Sequence, residues 1–581
     1  MLLRWDEWIM KIDVTTKIDL NDETALVFDG IKDGYRSIDR KYTCLFDGTI
    51  TNARELSKKL KKGGVYLKGS GDAELIIELF RFSGSDGWNE LEGHFAFVIF
   101  NHKTNKLTAV CDRYGSKQLY YQLIDDGIRL FSTLNILKDD PTETPTFYNK
   151  DALFHYFDFG FIPGELTAHA DIYHVPAGSV LSYDIALGVL IKPFTPLFTI
   201  HGSEQSLVPT NHLREVIIDS IHQRIKNTES IGLYFDGSYE QGILAGILKY
   251  ASPHLKIFSL QFEGQEKESV KRISSIATEM EIPFIKRTIS AKDYFDAAKE
   301  SLLLTATPIS DVNMPLTMLF SQMAVKHVDT IITTNGSLEL FGGTLYKKRK
   351  KFDGISYSKN NTKLRLLKLS KKLPNRFKHV KSTIFERVTP PVNHYPGNGN
   401  IIALEGGYDY LKWTGPNWQT ITKPIYNQIK DLNWLEQRQT LDFNIGLKRN
   451  ALIQSEVILG HSLQVIHPFL DQKVIKVATD LTVDEKLGSP KQRPLLYEAF
   501  KNDVPLELFK NKHQQINVPL SDWIRKELFY DIHDLFNHRV AKYWFDVELI
   551  NDLLLKHRKK RGDFTKEIWS ITVFLLWIKQ R

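Results

Sequence analysis

The sequence predicts a two-domain protein of mixed class. The first domain reads as α+β, with two layers of sheet and helices outside, and the second as α/β with a doubly wound parallel sheet. Three observations carry this. Residues 41–184 are mostly short strands broken by hairpin turns. From about residue 211 onward, strands alternate with helices. Within the second region, the run Ile231-Gly232-Leu233-Tyr234-Phe235-Asp236-Gly237-Ser238-Tyr239-Glu240-Gln241 joins an apolar strand to a helix through a turn bearing glycine and serine. A chain of 581 residues is also too long for a single core.

Bulk properties narrow the class. Hydrophobic content of 42% with 25% charged residues is ordinary for a soluble globular protein. A net charge of +7 with dispersed basic residues tolerates acidic partners and disfavours nucleic acid as one. The two cysteines, Cys44 and Cys111, each fall inside a strand-like run, which rules out a disulfide framework and predicts small buried hydrophobes. The longest apolar runs, near 95–100 and 569–578, are too short to span a bilayer. The start Met1-Leu2-Leu3-Arg4-Trp5-Asp6-Glu7 lacks a signal-peptide pattern, so the expected location is cytoplasmic.

In the first domain, residues 95–100 and 106–111 flank a polar turn, and 119–124 and 128–132 flank Asp125-Asp126-Gly127, a tight-hairpin signal. Residues 72–82 read as a helix because Leu75, Ile76, Leu79 and Phe80 recur at helical spacing. After a polar linker at 201–205, a helix over 211–224 precedes the alternation: strand 231–235, helix to 250, strand 255–262, helix 269–280, strand 284–289 and strand 328–333. In such a sheet ligands sit beyond the carboxyl ends of strands. The loops after Phe235 and Thr333 are such ends, and the stretch 258–262 offers a third edge that could face an adenine. The first loop sends two messages. Free N–H groups at a strand–turn–helix junction suit phosphate, whereas Asp236 and Glu240 are groups an anion site avoids.

Several ordered motifs resemble the asparagine synthetase superfamily. Asp47-Gly48-Thr49-Ile50-Thr51-Asn52 followed by Arg54-Glu55-Leu56 is similar to N-G-E-I-Y-N-…-E-L. Gly71-Asp72-Ala73-Glu74, Leu91-Glu92-Gly93-His94-Phe95-Ala96-Phe97 and Asp112-Arg113-Tyr114-Gly115-Ser116-Lys117-Gln118-Leu119-Tyr120-Tyr121 match three further landmarks, with Phe161-Ile162-Pro163 and Val175-Pro176-Ala177-Gly178 behind them. The resemblance implies an N-terminal glutaminase-like (Ntn-type) β-sandwich with helices over residues 1–205, in which an N-terminal cysteine attacks a glutamine amide. Here the first residue is Met1, Asp47 stands where the family has asparagine, and the R-G-P-D and R-L-x-I landmarks are not found. No glutaminase activity is expected.

Over residues 206–581 the resemblance implies an ATP-pyrophosphatase domain like that of asparagine synthetases, β-lactam synthetases and lasso-peptide cyclases. The family loop S-G-G-x-D-S corresponds to Asp236, Gly237, Ser238, Tyr239, Glu240 and Gln241. G-x-G-x-D-E-x-F-G-G appears as Thr334-Asn335-Gly336-Ser337-Leu338-Glu339-Leu340-Phe341-Gly342-Gly343, with Leu338 for its aspartate. S-L-E-x-R-x-P-F-L-D appears as Ser462-Leu463-Gln464-Val465-Ile466-His467-Pro468-Phe469-Leu470-Asp471, with Gln464 and Ile466 for its Glu–Arg pair. Arg493 stands where K-x-x-L-R has a lysine on phosphate, and residues 505–523 match the closing element in outline. By this resemblance Asp236, Gly237, Ser238, Glu240, Gln241 and Gly336 bind nucleotide, Asp236 and Glu240 hold Mg²⁺, and Arg493 and Glu339 are catalytic. ATP and Mg²⁺ are the implied cofactors, and the substrate is a small molecule or peptide carrying a carboxylate.

Other segments have plainer readings. The basic clusters at 347–351, 363–381 and 556–561 read as solvated surface. Residues 351–433, with Pro390-Pro391, Pro396-Gly397 and Gly406-Gly407, read as an irregular insertion that could be a lid or a partner-binding flap. His155, His174, His461 and His467 read as core or surface histidines, and Trp5, Trp8, Trp413 and Trp418 as packing residues. Fold landmarks persist while phosphate- and metal-side positions change. Two functions follow: ATP-dependent amide formation without glutaminase activity, or a catalytically inactive relative that binds or regulates a protein partner.

Overall fold

The computed structural model describes residues 15–21, 24–29, 33–69, 71–124, 127–134, 148–184, 187–193, 199, 208–226, 228–264, 267–343, 346, 408–488, 494–505, 507–510 and 518–580. The chain divides into two units whose main boundary falls between Phe198 and Thr199, with the short segment Leu153–Ile162 grouped with the second unit and Lys448–Leu452 with the first. The proposed packing residues Trp5 and Trp8, the motif residue Arg493, and nearly all of the proline- and glycine-rich part of the 351–433 segment lie outside the described residues.

The first unit contains β1 (Thr15–Asn21), β2 (Thr24–Asp29), β3 (Asp33–Arg36), β4 (Tyr42–Ile50), α1 (Ala53–Lys62), α2 (Asp72–Ser83), β5 (Gly93–Asn101), β6 (Lys106–Cys111), β7 (Tyr120–Ile124), β8 (Gly127–Phe131), the start of α3 (Lys150–Phe159), β9 (Ile172–His174), β10 (Ser179–Asp184) and β11 (Gly188–Pro193). They form a five-stranded sheet in the order β1-β2-β8-β7-β9 and a six-stranded sheet in the order β11-β10-β6-β5-β4-β3. Leu45, Val98 and Ala109 of the larger sheet pack with Tyr121, Ile128 and Leu130 of the smaller one, which makes a sandwich core. The alternate residues Phe46, Phe95, Phe97 and Ile99 pack instead with Leu56, Ile76, Leu79 and Trp88 on the helical side. Both faces of β5 are therefore covered, which is why its sequence is continuously apolar rather than alternating.

Asp112 explains one persistent motif. Its carboxylate is buried and accepts from the backbone N–H groups of Phe95 (3.2 Å), Ser116 (2.8 Å) and Tyr114 (2.9 Å), and from Ser116 Oγ (2.7 Å). Burial raises its pKa and these bonds pull it back down. The carboxylate organises the turn after β6.

The second unit opens with α4 (Thr210–Ile225), then β12 (Ile231–Tyr234), α5 (Tyr239–Ala251), β13 (Leu255–Phe262), α6 (Lys267–Glu279), β14 (Phe284–Ile289), α7 (Ala291–Thr305), α8 (Met314–Ala324), β15 (Thr330–Ile332), α9 (Ser337–Phe341) and β16 (Gln464–Ile466). The sheet order is β14-β13-β12-β15-β16, with every pair parallel. The chain winds outward from β12 to β14 and then returns to the other side of β12, so the order reverses between β12 and β15. That is the topological switch point. β16 has no expectation in the alternation pattern: three residues inside a motif carry too little periodicity to read as a strand.

β16 is held by charge as well as by pairing. Asp471 Oδ1 caps helix Gln472–Thr479 by accepting from Lys473 N–H at 2.7 Å, and its Oδ2 meets Arg224 Nη1 of α4 at 2.5 Å. Ser220 Oγ of the same helix donates to Pro468 O at 2.8 Å. Among the described residues no helix is long and apolar enough to cross a membrane.

Breaking a buried pair by removing one partner strands the other charge, at about 3–5 kcal/mol. Asp471→Ala is therefore expected to lower the urea midpoint of the second unit's unfolding, while Asp471→Leu with Arg224→Met recovers most of the loss. The check is paired urea titrations followed by tryptophan fluorescence.

Candidate functional site

The first edge of the site is the turn after β12. Phe235 is buried and its N–H donates to Phe258 O at 2.7 Å, which ties the turn to β13. Gly237 has φ of +84°, in the left-handed region that a side chain disfavours. Ser238 is the N-cap of α5, and its hydroxyl makes no capping bond. The helix thus starts with N–H groups that its own cap side chain leaves unbonded. Asp236 fills part of that space: its Oδ1 accepts from Ser238 N–H at 2.8 Å, and its own N–H donates to Gln241 Oε1 at 2.7 Å. Burial pushes the Asp236 carboxyl up, against the lowering pull of those bonds. One loop donor is therefore already used by a carboxylate of the loop itself.

The second edge is the segment after β15. Thr333 N–H donates to Ile466 O at 2.9 Å, and Thr333 Oγ1 meets His467 Nδ1 at 2.6 Å. His467 Nε2 meets Ser455 Oγ at 2.9 Å. Buried and bonded at both ring nitrogens, His467 is driven down to about 4, chiefly by burial. It is a neutral strut that joins the β15 end to helix Lys448–Leu459. Gly336 has φ of +91°, and a Cβ there would lie 2.6 Å from Leu470 Cδ2, so this glycine lets the loop close on the Pro468–Leu470 turn.

Glu339 follows on α9, partly buried, with its backbone oxygen accepting from Gln439 Nε2 at 2.6 Å. Burial and then the nearby Asp442 charge raise its pKa from 4.5 to about 7. Asp442 itself is bonded to Tyr346 Oη at 2.8 Å and to Arg438 Nε at 2.9 Å. Leu338, where the resembling motif has an aspartate, is 37% exposed.

A cavity of about 200 Å³ opens between the two edges at the switch point. Asp236 and Gln241 line it from the first edge and Thr333, Thr334 and Asn335 from the second, with Asn313, the N-cap of α8, and Thr317 of that helix completing the polar lining. Asn335 Nδ2 is buried without a hydrogen-bond partner. Glu240, Gly336 and Glu339 are not among the lining residues. Asn313 and Thr317 carried a signal: two polar residues at i, i+4 on the first turn of a largely apolar helix.

The donor set suits a nucleotide's phosphates: a positive-φ glycine, a helix N-terminus and, near them, the guanidinium of Arg272, with buried Nε and Nη2 atoms that have no partner. Among the described residues no group of three or more His, Cys, Asp or Glu side chains could hold a metal. Mg²⁺ normally takes one or two carboxylates plus phosphate oxygens and water, so Asp236 and Glu240 would complete its shell only around a bound phosphate.

In the first unit, Asp47 Oδ1 and Oδ2 lie 2.9 and 3.1 Å from Lys117 Nζ. Cys44 and Cys111 are fully buried, and burial with the Asp112 charge holds the Cys111 thiol well above its usual pKa. Both thiols are free and enclosed by the fold, away from solvent.

Comparison with known proteins gives a consistent picture. The asparagine synthase family model matches residues 212–579, and the glutamine amidotransferase domain model matches residues 28–192. The chain is 25% identical over 548 residues to an asparagine synthetase [glutamine-hydrolyzing] 1 of Bacillus subtilis, covering 93% of this chain and 85% of that one. It is 23% identical over 549 residues to a putative asparagine synthetase of Mycobacterium bovis, covering 92% and 84%. Among solved structures, an NH3-dependent NAD synthetase of Campylobacter jejuni is similar at 18% identity with a TM-score of 0.18, over 23% of this chain and 61% of that one.

The Glu339 environment sets a pH dependence. The unfolded chain releases this proton near 4.5 and the folded one near 7. Its contribution to stability is therefore fully present below pH 4.5 and is lost as pH rises to 7. Glu339→Gln, uncharged throughout, is expected to match the parent at low pH and exceed it at pH 8 by up to about 3 kcal/mol. Urea unfolding across pH 5 to 8 checks this, and a pH-independent gap between the two would refute it.

Proposed function

Because the chain belongs to the asparagine synthase family, we propose that it is an ATP-dependent amide-forming protein that activates a carboxylate for attack by ammonia or an amine. The observation that carries this reading is the positive-φ Gly237 turn, set at the N-terminus of α5 and at the point where the sheet order reverses. Phosphates would meet the Gly237 and Ser238 loop and the α5 N-terminus. Asp236 and Glu240 would face Mg²⁺, Glu339 would supply a carboxylate at the second edge, and Arg493 would stabilise charge developing on phosphate. ATP contributes the activating group, with AMP and pyrophosphate as products.

The carboxylate substrate would occupy the cavity between β12 and β15. Its described lining is hydroxyl, amide and apolar, with Asp236 its single charged side chain. Asn335 Nδ2 is the donor best placed to orient a substrate there, since it has no protein partner to lose.

We also propose that glutamine is not the nitrogen source. An oxyanion needs a donor, and an asparagine amide can supply one. Asp47 is an acceptor-only anion neutralised by Lys117. A second reading, a catalytically inactive relative acting through a protein partner, is supported by the Asp236 carboxylate, which already accepts the Ser238 N–H.

Titration calorimetry with ATP–Mg²⁺ separates the two readings: binding in the millimolar range or tighter is expected, and none at millimolar nucleotide would remove the enzymatic reading. Arg493→Ala should slow AMP and pyrophosphate release at least a hundredfold, in line with the loss of one oxyanion-stabilising donor, roughly 10²–10³. Its unfolding temperature should not change. For the nitrogen source, ammonium is expected to support turnover, while incubation with glutamine yields no glutamate. Glutamate formation above the buffer blank would overturn that part.

A further inference from the structure

The Gly237 turn has a cation beside it that none of the site motifs contains. Arg272 lies on α6, and a Cβ built on Gly237 would sit 3.8 Å from its Nη1 and 3.9 Å from its Nη2. Its Nε and Nη2 are buried and meet no hydrogen-bond partner. Guanidinium is charged at every working pH and presents five donors in a planar fork. Leaving such nitrogens dry and unbonded is costly, and an anion placed against the fork removes that cost.

The pleat of β13 adds donors on the same side. Phe258 packs edge-on against Phe320 of α8, and Phe262 against Trp523, whose ring in turn meets Tyr294 of α7 at a tilt of 51°. The even-numbered residues of β13 thus face α7 and α8, and alternation turns Ser259 and Gln261 to the opposite face. On that face Ile273 of α6 closes on Gly237, with its Cγ1 3.3 Å from the Cβ position. Ser259 Oγ and Gln261 Nε2 are both buried there without a partner. Three side chains from two consecutive elements therefore carry unsatisfied polar atoms on the α6 side of one glycine turn.

We propose that Arg272 grips the phosphate chain of the nucleotide, in concert with the Gly237 turn and the N-terminus of α5. The proposal rests on the nucleotide reading given above and deepens it. It also answers the charge problem of the loop. Asp236 and Glu240 bring two carboxylates toward the place where phosphates sit, and a bidentate guanidinium from α6 offsets them. Arg272 is a binding residue in this scheme, and the reacting carboxylate lies on the other side of the turn, in the cavity between β12 and β15.

The test uses the full chain with ATP–Mg²⁺, inorganic pyrophosphate and adenosine as calorimetric probes. Arg272→Gln is expected to weaken ATP–Mg²⁺ and pyrophosphate at least tenfold and to leave adenosine unchanged. Arg272→Lys, which keeps the charge without the fork, should fall between. Thermal unfolding in anion-free buffer supplies a second readout: pyrophosphate should raise the parent's Tm and not that of Arg272→Gln. Should Arg272→Gln fail to fold, Arg272→Met keeps the aliphatic stem and takes its place. Equal ATP–Mg²⁺ affinity in parent and variant overturns the role of Arg272 and leaves the proposed function standing. Arg272-dependent pyrophosphate binding without ATP binding keeps the anion site and removes the nucleotide reading. A parent that binds neither probe overturns both.

Discussion

The ion pair between Arg224 and Asp471 is the interaction on which the second unit's site depends. Asp471 caps helix Gln472–Thr479 with one oxygen and takes the α4 guanidinium with the other. Both side chains are nearly buried, at 10% and 4% exposure, so the pair acts in a medium that screens it weakly. Held this way, the Pro468–Leu470 turn packs onto Gly336, and β16 stays paired to β15. The carboxyl end of β15, which forms one wall of the cavity, is thereby tied to α4 and to His467. This accounts for the persistence of Pro468-Phe469-Leu470-Asp471 where neighbouring motif positions have changed.

The two units share a pattern. In each, a motif position that the resembling family fills with a neutral hydrogen-bonding residue holds an aspartate, and in each that aspartate is satisfied internally. Asp47 is paired with Lys117, and Asp236 accepts the Ser238 N–H. A carboxylate left bare in such surroundings would be costly, so each substitution comes with a local partner. The consequence differs. At Asp47 the partner is a lysine that neutralises the charge outright. At Asp236 it is one backbone donor, and burial still raises the carboxyl pKa.

Much of the architecture was legible because it rests on local rules. Hairpin turns, helical spacing in α2 and strand–helix alternation are written in stretches of five to fifteen residues. The doubly buried strand β5 was legible as a strand but not as the shared element of two cores, since continuous apolar sequence does not say what covers each face. β16 was not legible as a strand: three residues gain their extended conformation only by pairing with β15. The motif residues were legible as a set, but not in their contacts. Asp236 and Gln241 line the cavity, while Glu339 stands beside Asp442 on α9 and is not part of that lining. Arg272 was invisible, because a single arginine on an amphipathic helix resembles any solvated charge until burial shows otherwise.

By itself the sequence determined the two fold classes, the strand–helix alternation from β12 to β14 and the turn after β12, because propensity, periodicity and glycine placement act within a few residues. Tertiary structure decided which polar atoms are satisfied. It bonded Asp236 to Ser238, took both nitrogens of His467, raised Glu339 toward neutrality and left the Arg272 guanidinium unpartnered beside Gly237. The reason is physical. Desolvation and hydrogen-bond satisfaction depend on groups far apart in the chain that only the packed sheet and its helices bring together.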